Sequence, residues 1–170
     1  YDFSALTHIE IGSHPVPYVL LEDSKKIFPN LPIANIYGIT EGGGGGITNC
    51  YDEDIMRKPG SIGKATVFME AKIVDSQGNR LKNGAVGELL VKGPRLMKEY
   101  AFNPEKTAET IKDGWLYTGD LAYEDDEGFI FFADRANDLI IRGGENMFRA
   151  EIEDGLRKHP MIQDVAVLGY

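Results

Sequence analysis

Two short motifs carry side chains of the types that hold a nucleotide. In Tyr37-Gly38-Ile39-Thr40-Glu41, an aromatic ring offers a flat face to a base, a hydroxyl can donate to a phosphate, and a carboxylate can hold Mg²⁺, which prefers oxygen ligands. In YTGD, Asp120 follows a glycine, and a carboxylate fixed after such a turn can accept both hydroxyls of a ribose. Each motif alone also fits an ordinary turn, with Glu41 in solvent and Asp120 as a cap.

A third stretch, residues 134–146, reads DRANDLIIRGGEN and is the most specific of the three. A charged segment precedes a short apolar run, and Gly143 and Gly144 follow it. Paired glycines let a ligand approach the backbone closely, because they have no side chain. The charged segment alone could be an ordinary loop, and the paired glycines alone could be an ordinary turn. The whole string, in this order and spacing, is hard to obtain by accident.

The elements that must position these motifs follow from hydrophobic periodicity and breaker residues. Strand, helix and strand in succession are typical of a parallel α/β sheet, and the chain begins in this way. Asn103 as N-cap and Pro104 in the first turn predict one well-signalled helix over 104–111. The other predicted helices cover 16–28 and 149–159. The predicted strands cover 7–12, 33–37, 66–75, 85–92, 128–133, 138–142 and 164–168.

Composition excludes several function classes. Acidic residues outnumber basic ones 27 to 18, and the net charge of -9 disfavours a general nucleic-acid or anionic-membrane binder. No apolar run approaches the ~20 residues of a membrane span. The single cysteine, Cys50, excludes an internal disulfide framework and fits a reducing cytosol, so we expect a cytoplasmic protein with a buried thiol. The three histidines have no ligand-like spacing, so no metal site is assigned to them.

Taken in order, YGITE, YTGD and DRANDLIIRGGEN followed by AEIE resemble the adenylate-forming superfamily, which contains acyl-CoA synthetases, amino-acid-activating adenylation domains and luciferases. The resemblance covers essentially the whole chain, and the wording of GGEN and AEIE is closest to the acyl- and aryl-CoA ligase branch. Members form an acyl-adenylate from a carboxylic acid and ATP, release pyrophosphate, and pass the acyl group to a thiol. The resemblance therefore implies ATP/AMP, Mg²⁺, coenzyme A and a small-molecule carboxylic acid, with fatty acid metabolism as the expected setting.

The resemblance also implies roles for individual residues around the nucleotide. Tyr37 and Gly38 would lie on one face of the adenine, Thr40 would contact the AMP phosphate, and Glu41 would hold Mg²⁺. Asp120 would bind the ribose hydroxyls, with Arg135 beside it. The loop along the other face of the adenine would be formed by Gly12, Ser13, His14 and Pro15.

By the same resemblance the chain is of the α/β class and has three parts. Residues 1–60 would belong to an N-terminal α/β core, 61–136 to its β-rich, barrel-like subdomain, and 137–170 to the hinge and the beginning of a small α+β lid domain. Asn137 falls at the hinge, where the family usually has Asp or Lys. Gly143 and Gly144 would line the passage for the pantetheine arm of coenzyme A. Arg149 stands where the family commonly has Pro.

Two parts of the family pattern are missing from the sequence: the phosphate loop with its Lys, which lies upstream in the family, and the adenylation Lys near the far C-terminus. We therefore expect an internal fragment that does not adenylate alone. Two alternatives stay open, namely an adenylation domain that loads a carrier-protein thiol and a non-catalytic nucleotide-binding fragment. The glycine run 42–46 would border the acyl pocket and leave it wide or mobile. The sequence does not indicate the acid or the oligomeric state.

Overall fold

The computed structural model describes residues 2–13, 16–142 and 145–169. Within these ranges the strands are β1 Ile9–Gly12, β2 Ile33–Ile39, β3 Gly44–Cys50, β4 Ser61–Ala65, β5 Glu70–Val74, β6 Gly87–Lys92, β7 Ile111–Lys112, β8 Trp115–Glu124, β9 Ile130–Arg135, β10 Ile140–Arg142 and β11 Glu145–Met147. The α-helices are α1 Tyr18–Ile27, α2 Asp52–Ile55, α3 Pro104–Thr110 and α4 Arg149–Arg157. Single turns of 3-10 helix cover Thr40–Gly42 and Ala136–Asp138.

One large sheet organises the chain. Its strand order is β1-β2-β3-β4-β9-β8-β6-β5, with β7 paired to β8, while β10 and β11 form a separate hairpin. Strands β1 and β2 are parallel, and the other pairs are antiparallel. The predicted α/β class is confirmed. The sheet is not closed, because its end strands β1 and β5 do not pair. Within residues 61–136 the end strands β4 and β5 do not pair with each other either, so the predicted barrel-like subdomain is an open part of this sheet.

Two apolar clusters support the sheet. One packs the strands from β3 to β9 together and is formed by Ile47, Ile62, Met69, Ile73, Leu89, Val91, Leu116, Ala122 and Ile130. The other packs α1 and α2 against β2 and is formed by Leu21, Ile33, Cys50, Ile55 and Phe129. The sheet itself continues across residue 60 through the pairing of β3 with β4, so the boundary proposed there stays a prediction.

Local signals placed several elements correctly. The Asn103 side chain accepts from the backbone N–H of Lys106 at 3.0 Å, as expected of the N-cap of α3. Helix α1 begins after Pro17 and has Lys25 and Lys26 in its last turn, where positive charge complements the helix dipole. In the described part of the chain, no helix combines the length and the apolar character that crossing a membrane requires.

Two predicted strands are corrected. The alternation over 66–75 predicts one strand, but Phe68 has a φ of +67° and is 82% exposed, so a turn precedes β5. Residues 164–168 form no strand and pair with none of the described strands. The Val167 N–H donates instead to Glu153 Oε1 at 2.9 Å. The expected strand at 138–142 starts later, since Ala136–Asp138 form a 3-10 turn.

Candidate functional site

A cavity of about 730 Å³ lies where β2, β8 and β9 meet helix α4. Pockets of this size commonly hold small-molecule ligands. Five residues that the sequence singles out line it together: Ser13, Tyr37, Gly38, Asp120 and Arg135. The fold thus brings three motifs that are distant in sequence to one place.

Asp120 lies where the pairing of β8 is irregular. The register shifts there against both neighbouring strands, β6 and β9. Leu116 and Ala122 are buried in the apolar cluster, whereas Asp120 is buried on the cavity wall. Gly119, with a φ of +71°, makes the local bend, and its N–H donates to Glu88 Oε1 at 3.0 Å. The pairing of β8 with β9 then sets Arg135 directly opposite Asp120.

Asp120 is held on one oxygen and open on the other. The Tyr37 hydroxyl donates to Oδ2 at 2.6 Å, and the Asp120 side chain is 1% exposed. Oδ1 accepts no hydrogen bond from the described residues, although Arg135 Nε lies 3.3 Å away as an ion-pair partner. A buried acceptor without a donor is costly on its own. Its place on the cavity wall fits a ligand that brings hydroxyl donors.

Burial and neighbouring charges set the protonation of this pair. Burial raises the pKa of Asp120 above its ordinary value of 3.8, while the Tyr37 hydrogen bond and the Arg135 charge lower it and the Glu41 charge raises it. The pKa of Tyr37 is raised strongly, first by burial and then by the Asp120 charge. Tyr37 therefore remains a neutral donor to Asp120.

Thr40 and Glu41 sit just beyond the cavity wall, in the 3-10 turn that follows β2. The Tyr100 hydroxyl donates to Glu41 Oε1 at 2.7 Å, and the Met97 N–H donates to the Glu41 carbonyl at 2.7 Å. The described residues contain no cluster of three or more His, Cys, Asp or Glu able to hold a metal. Mg²⁺ at Glu41 would therefore need further oxygens from a ligand, as is usual for Mg²⁺ bound with phosphates.

A second ionic group lies on the cavity wall beside α4. Asp134, at the end of β9 and 3% exposed, accepts from the backbone N–H of Arg149 at 2.8 Å through Oδ2. Arg149 Nη2 lies 3.2 Å from Asp134 Oδ1 and 2.5 Å from Asp138 Oδ2. This group therefore joins the last strand of the core, the 3-10 turn and the first residue of α4.

One family model covers the first of the three motifs, YGITE. That model, described as AMP-binding enzyme, matches residues 1–101. The chain belongs to the AMP-binding enzyme family. The resemblance to the adenylate-forming superfamily is thereby confirmed, and the curated relatives of the chain include CoA ligases.

The relatives of this family member use different thiols. A long-chain-fatty-acid–CoA ligase from Escherichia coli O6:H1 is 42% identical over 99% of this chain and 29% of its own length. A fatty acid–[acyl-carrier-protein] ligase from Streptomyces coeruleorubidus is 38% identical over 99% of this chain and 33% of its own length. The chain thus spans about a third of the length of the curated relatives it matches.

Two solved structures of one relative form a matched pair. The o-succinylbenzoate CoA synthetase of Bacillus subtilis, in complex with its acyl-adenylate intermediate, is 38% identical, covers 97% of this chain with 33% of its own, and gives a TM-score of 0.89. A double mutant of that enzyme, bound with a CoA product analogue, has the same identity and coverage but a TM-score of 0.72. The unliganded form of the same enzyme gives 0.86. The chain is therefore closer in arrangement to the unliganded and adenylate-bound structures than to the product-analogue complex.

The other predicted site residues lie away from the cavity wall, in the expected hinge or outside the described residues. Gly12 packs β1 against β2, since a Cβ there would lie 2.5 Å from the Ile36 carbonyl oxygen, and it does not line the cavity. Asn137 has its backbone in the 3-10 turn at the expected hinge. Outside the described residues are His14, Pro15, Gly143 and Gly144.

Sequence reasoning missed Asp134 as part of the cavity and treated Arg149 only as a departure from the family pattern. The signal that could have found the pair is the coincidence of an unexpected Arg with two acids, Asp134 and Asp138, in the segment before it. Thr118 was also missed, although its hydroxyl accepts from the Asp120 N–H at 3.1 Å and donates to the Leu89 carbonyl at 2.7 Å.

Proposed function

We propose that this chain carries the nucleotide wall, the hinge and the start of the lid of an ATP-dependent acyl-CoA synthetase. The enzyme would activate a carboxylic acid as an acyl-adenylate, release pyrophosphate and transfer the acyl group to coenzyme A. The observation that carries the proposal is Asp120 Oδ1, a buried acceptor on the wall of a nucleotide-sized cavity with no hydrogen-bond donor from the described residues. Ribose hydroxyls would supply the missing donors.

The nucleotide residues have complementary roles in this proposal. Tyr37 presents its ring to the adenine and fixes Asp120 with its hydroxyl, while Ser13 borders the same cavity. Thr40 would donate to the AMP phosphate. Arg135, 63% exposed and beside Asp120, would offset negative charge as it gathers near the ribose and phosphate. The loop on the other adenine face would comprise Gly12, Ser13, His14 and Pro15, with Gly38 opposite.

Glu41 is the residue we propose for holding Mg²⁺. Its Oε1 accepts from Tyr100, which fixes the carboxylate and leaves Oε2 for a cation. Mg²⁺, when bound, neutralises charge on the phosphate groups during adenylation. The negative charge of Glu41 raises the pKa of Asp120. A cation bound at Glu41 would offset that charge and so favour the ionised form of Asp120.

Two half-reactions at one site need two different covers, which a rotating lid can supply. We propose that the rotation occurs at Asn137 and that Gly143 and Gly144 border the passage of the thiol arm. Coenzyme A is our first choice of acceptor because several curated relatives, the Escherichia coli enzyme among them, are named CoA ligases. A carrier-protein thiol is the second candidate, because one relative of similar identity is named for that acceptor. The reaction would take place in the cytoplasm, where Cys50 would stay reduced.

The chain lacks the phosphate loop and the adenylation Lys of its family, so we propose that the 170 residues alone do not adenylate. The test compares this chain with the full-length protein in pyrophosphate exchange into ATP, across acetate, medium-chain, long-chain and aromatic acids. Only the full-length protein should exchange. Equal exchange by the 170-residue chain would refute its incompleteness, and no exchange by either with any acid would refute the ligase assignment.

The acceptor is decided in the same system. After adenylation, coenzyme A and a phosphopantetheinylated carrier protein are offered separately, and thioester is measured by mass. Thioester with coenzyme A supports our first candidate. Thioester only with the carrier protein would replace it with the second. Calorimetric titration of AMP into the unmutated protein and into Asp120→Asn measures whether nucleotide binding depends on the cavity.

A further inference from the structure

Arg149 occupies the first position of α4 and contacts two other elements, strand β9 and the 3-10 turn that follows it. Its guanidinium meets Asp134 Oδ1 at 3.2 Å and Asp138 Oδ2 at 2.5 Å, and its backbone N–H donates to Asp134 Oδ2 at 2.8 Å. A guanidinium carries its donors in a rigid planar fork, so it holds two carboxylates in a more fixed geometry than an ammonium does. Asp134 also places a negative charge at the N-terminus of α4, where the helix dipole favours it.

This bridge spans the hinge. Asp134 ends the core strand β9, whereas Arg149 begins the lid helix, and Asn137 lies between them. A rotation of the lid about residues 136–138 moves α4 away from β9 and must therefore break the contacts between Arg149 and Asp134. Asp134 is nearly inaccessible to water, so water cannot easily replace the lost donors while the present packing persists.

The chemistry at this position depends on its being Arg. A proline at residue 149 would have no N–H to donate to Asp134 and no charge to pair with either acid. Both the hydrogen bond and the ion pair with Asp134 would then be lost. Arg149 therefore adds an ionic bond between core and lid that a chain with Pro at this place cannot make.

The orientation that the bridge holds is indicated by the matched structures. This chain superposes on the acyl-adenylate complex with a TM-score of 0.89 and on the CoA product-analogue complex with 0.72, at the same identity and coverage. We propose that Arg149 is a positioning residue, which holds α4 in the adenylate-forming orientation by binding Asp134 across the hinge, while Asp138 orients its guanidinium. The assignment of that orientation to a half-reaction rests on the function proposed above.

The first test measures the orientation and does not need catalysis. In the full-length protein, freed of other reactive cysteines, nitroxide labels are placed at Lys82→Cys in the core and Lys158→Cys at the end of α4, both exposed positions. Pulsed electron resonance should give one dominant distance. Arg149→Ala should raise the population of a second distance about tenfold, as expected for losing a hydrogen bond between charged groups. Arg149→Lys should lie between the two.

Arg157→Ala is the matched control, since Arg157 is an arginine of the same helix that pairs with Glu153 and Asp164, both of which follow the hinge in the chain. It should leave the distances unchanged. Should Arg149→Ala fail to fold, Asp134→Asn keeps the side chain's shape but removes the charge that Arg149 pairs with across the hinge, and it should shift the populations in the same direction. A distance distribution in Arg149→Ala or Asp134→Asn that matches the unmutated protein would overturn the proposal.

The second test separates the half-reactions. Adenylation is followed as pyrophosphate release in a single turnover, and thioester formation is followed from preformed acyl-adenylate. Arg149→Ala should slow adenylation several-fold and leave thioester formation as fast or faster. Equal slowing of both steps would indicate a merely structural role and would reject the positioning role. If the unmutated protein catalysed neither half-reaction, the proposed function would be rejected. The spin-label distances would still test whether Arg149 holds the orientation of α4.

Discussion

Tyr37 donates a 2.6 Å hydrogen bond to Asp120 Oδ2, although 83 positions separate the two residues. Four pairing steps lead from β2 through β3, β4 and β9 to β8, which in a flat sheet would place these strands about 19 Å apart. The contact therefore requires the sheet to curl over the cavity. The curl joins the two nucleotide motifs, and it leaves Asp120 Oδ1 as the open acceptor.

Replacing Asp120 by Asn should weaken nucleotide binding while leaving the side chain's shape in place. The neutral amide no longer offers two anionic acceptors to the ribose, and hydrogen bonds to a charged group contribute about 1.5–3 kcal/mol. We expect the Kd of AMP for the full-length protein, measured by calorimetry, to rise roughly tenfold to a hundredfold. Asp126→Asn, at the exposed hairpin tip, is the control and should bind AMP normally. Unchanged AMP affinity in Asp120→Asn would remove the ribose assignment.

Tyr37→Phe should move the pH dependence of AMP binding. The Tyr37 hydrogen bond lowers the pKa of Asp120, against the raising effect of burial. Without that hydroxyl the pKa of Asp120 rises further, so the carboxylate becomes protonated at a higher pH. As pH falls, the variant should therefore lose AMP affinity before the unmutated protein does. Calorimetric titrations at a series of pH values from neutral downwards measure the shift, and coincident acid limbs would contradict it.

Tyr100→Phe should raise the Mg²⁺ concentration needed for ATP binding. The lost hydroxyl fixes Glu41 Oε1, and a freely rotating carboxylate must be ordered again when a cation binds. We expect a several-fold increase in the Mg²⁺ concentration at half-saturation, read from calorimetric ATP binding. Tyr51→Phe, a change at an exposed tyrosine, is the control. An identical Mg²⁺ requirement in Tyr100→Phe and the unmutated protein would separate Tyr100 from the cation site.

The residue motifs predicted the wall of the cavity better than the elements between them. Types and order sufficed for Tyr37 and Asp120, because each carries its chemistry in its own side chain. The contact between them follows from strand register and sheet curvature, which no local pattern encodes. The same limit explains 164–168, whose apolar pattern suits a strand but has no described partner to pair with. Asp134 was missed because its partner Arg149 lies 15 residues away, across the hinge.

Cys50 should be inert in the folded protein. It is 1% exposed, and burial raises the pKa of its thiol to about 11, so the reactive thiolate is scarce at neutral pH. A thiol reagent at pH 8 should modify Cys50 only after urea unfolds the chain. Comparison with Cys50→Ser identifies its share of the signal. Rapid stoichiometric modification of Cys50 in the folded state would show that it is an accessible thiol instead of a core residue.

Two glycine-to-alanine changes should have opposite effects on stability. Gly43 ends the turn after Glu41 with a φ of +81°, and a Cβ there would lie 2.5 Å from the Arg95 carbonyl oxygen. Gly43→Ala should therefore lower the free energy of unfolding by about 1–3 kcal/mol. Gly155 lies in α4 with open space around it, and Gly155→Ala should raise the helix's stability by about 0.5–1 kcal/mol.

Urea unfolding of both variants, followed by circular dichroism, measures the two changes in the same background. The comparison also tests the glycine run that was expected to leave the acyl pocket wide or mobile. Gly42 is buried, and a Cβ there would collide with the Ile47 side chain, so the start of the run is tightly packed. If Gly43→Ala were as stable as the unmutated protein, the turn would be adaptable, and Glu41 would not be held in place by its backbone.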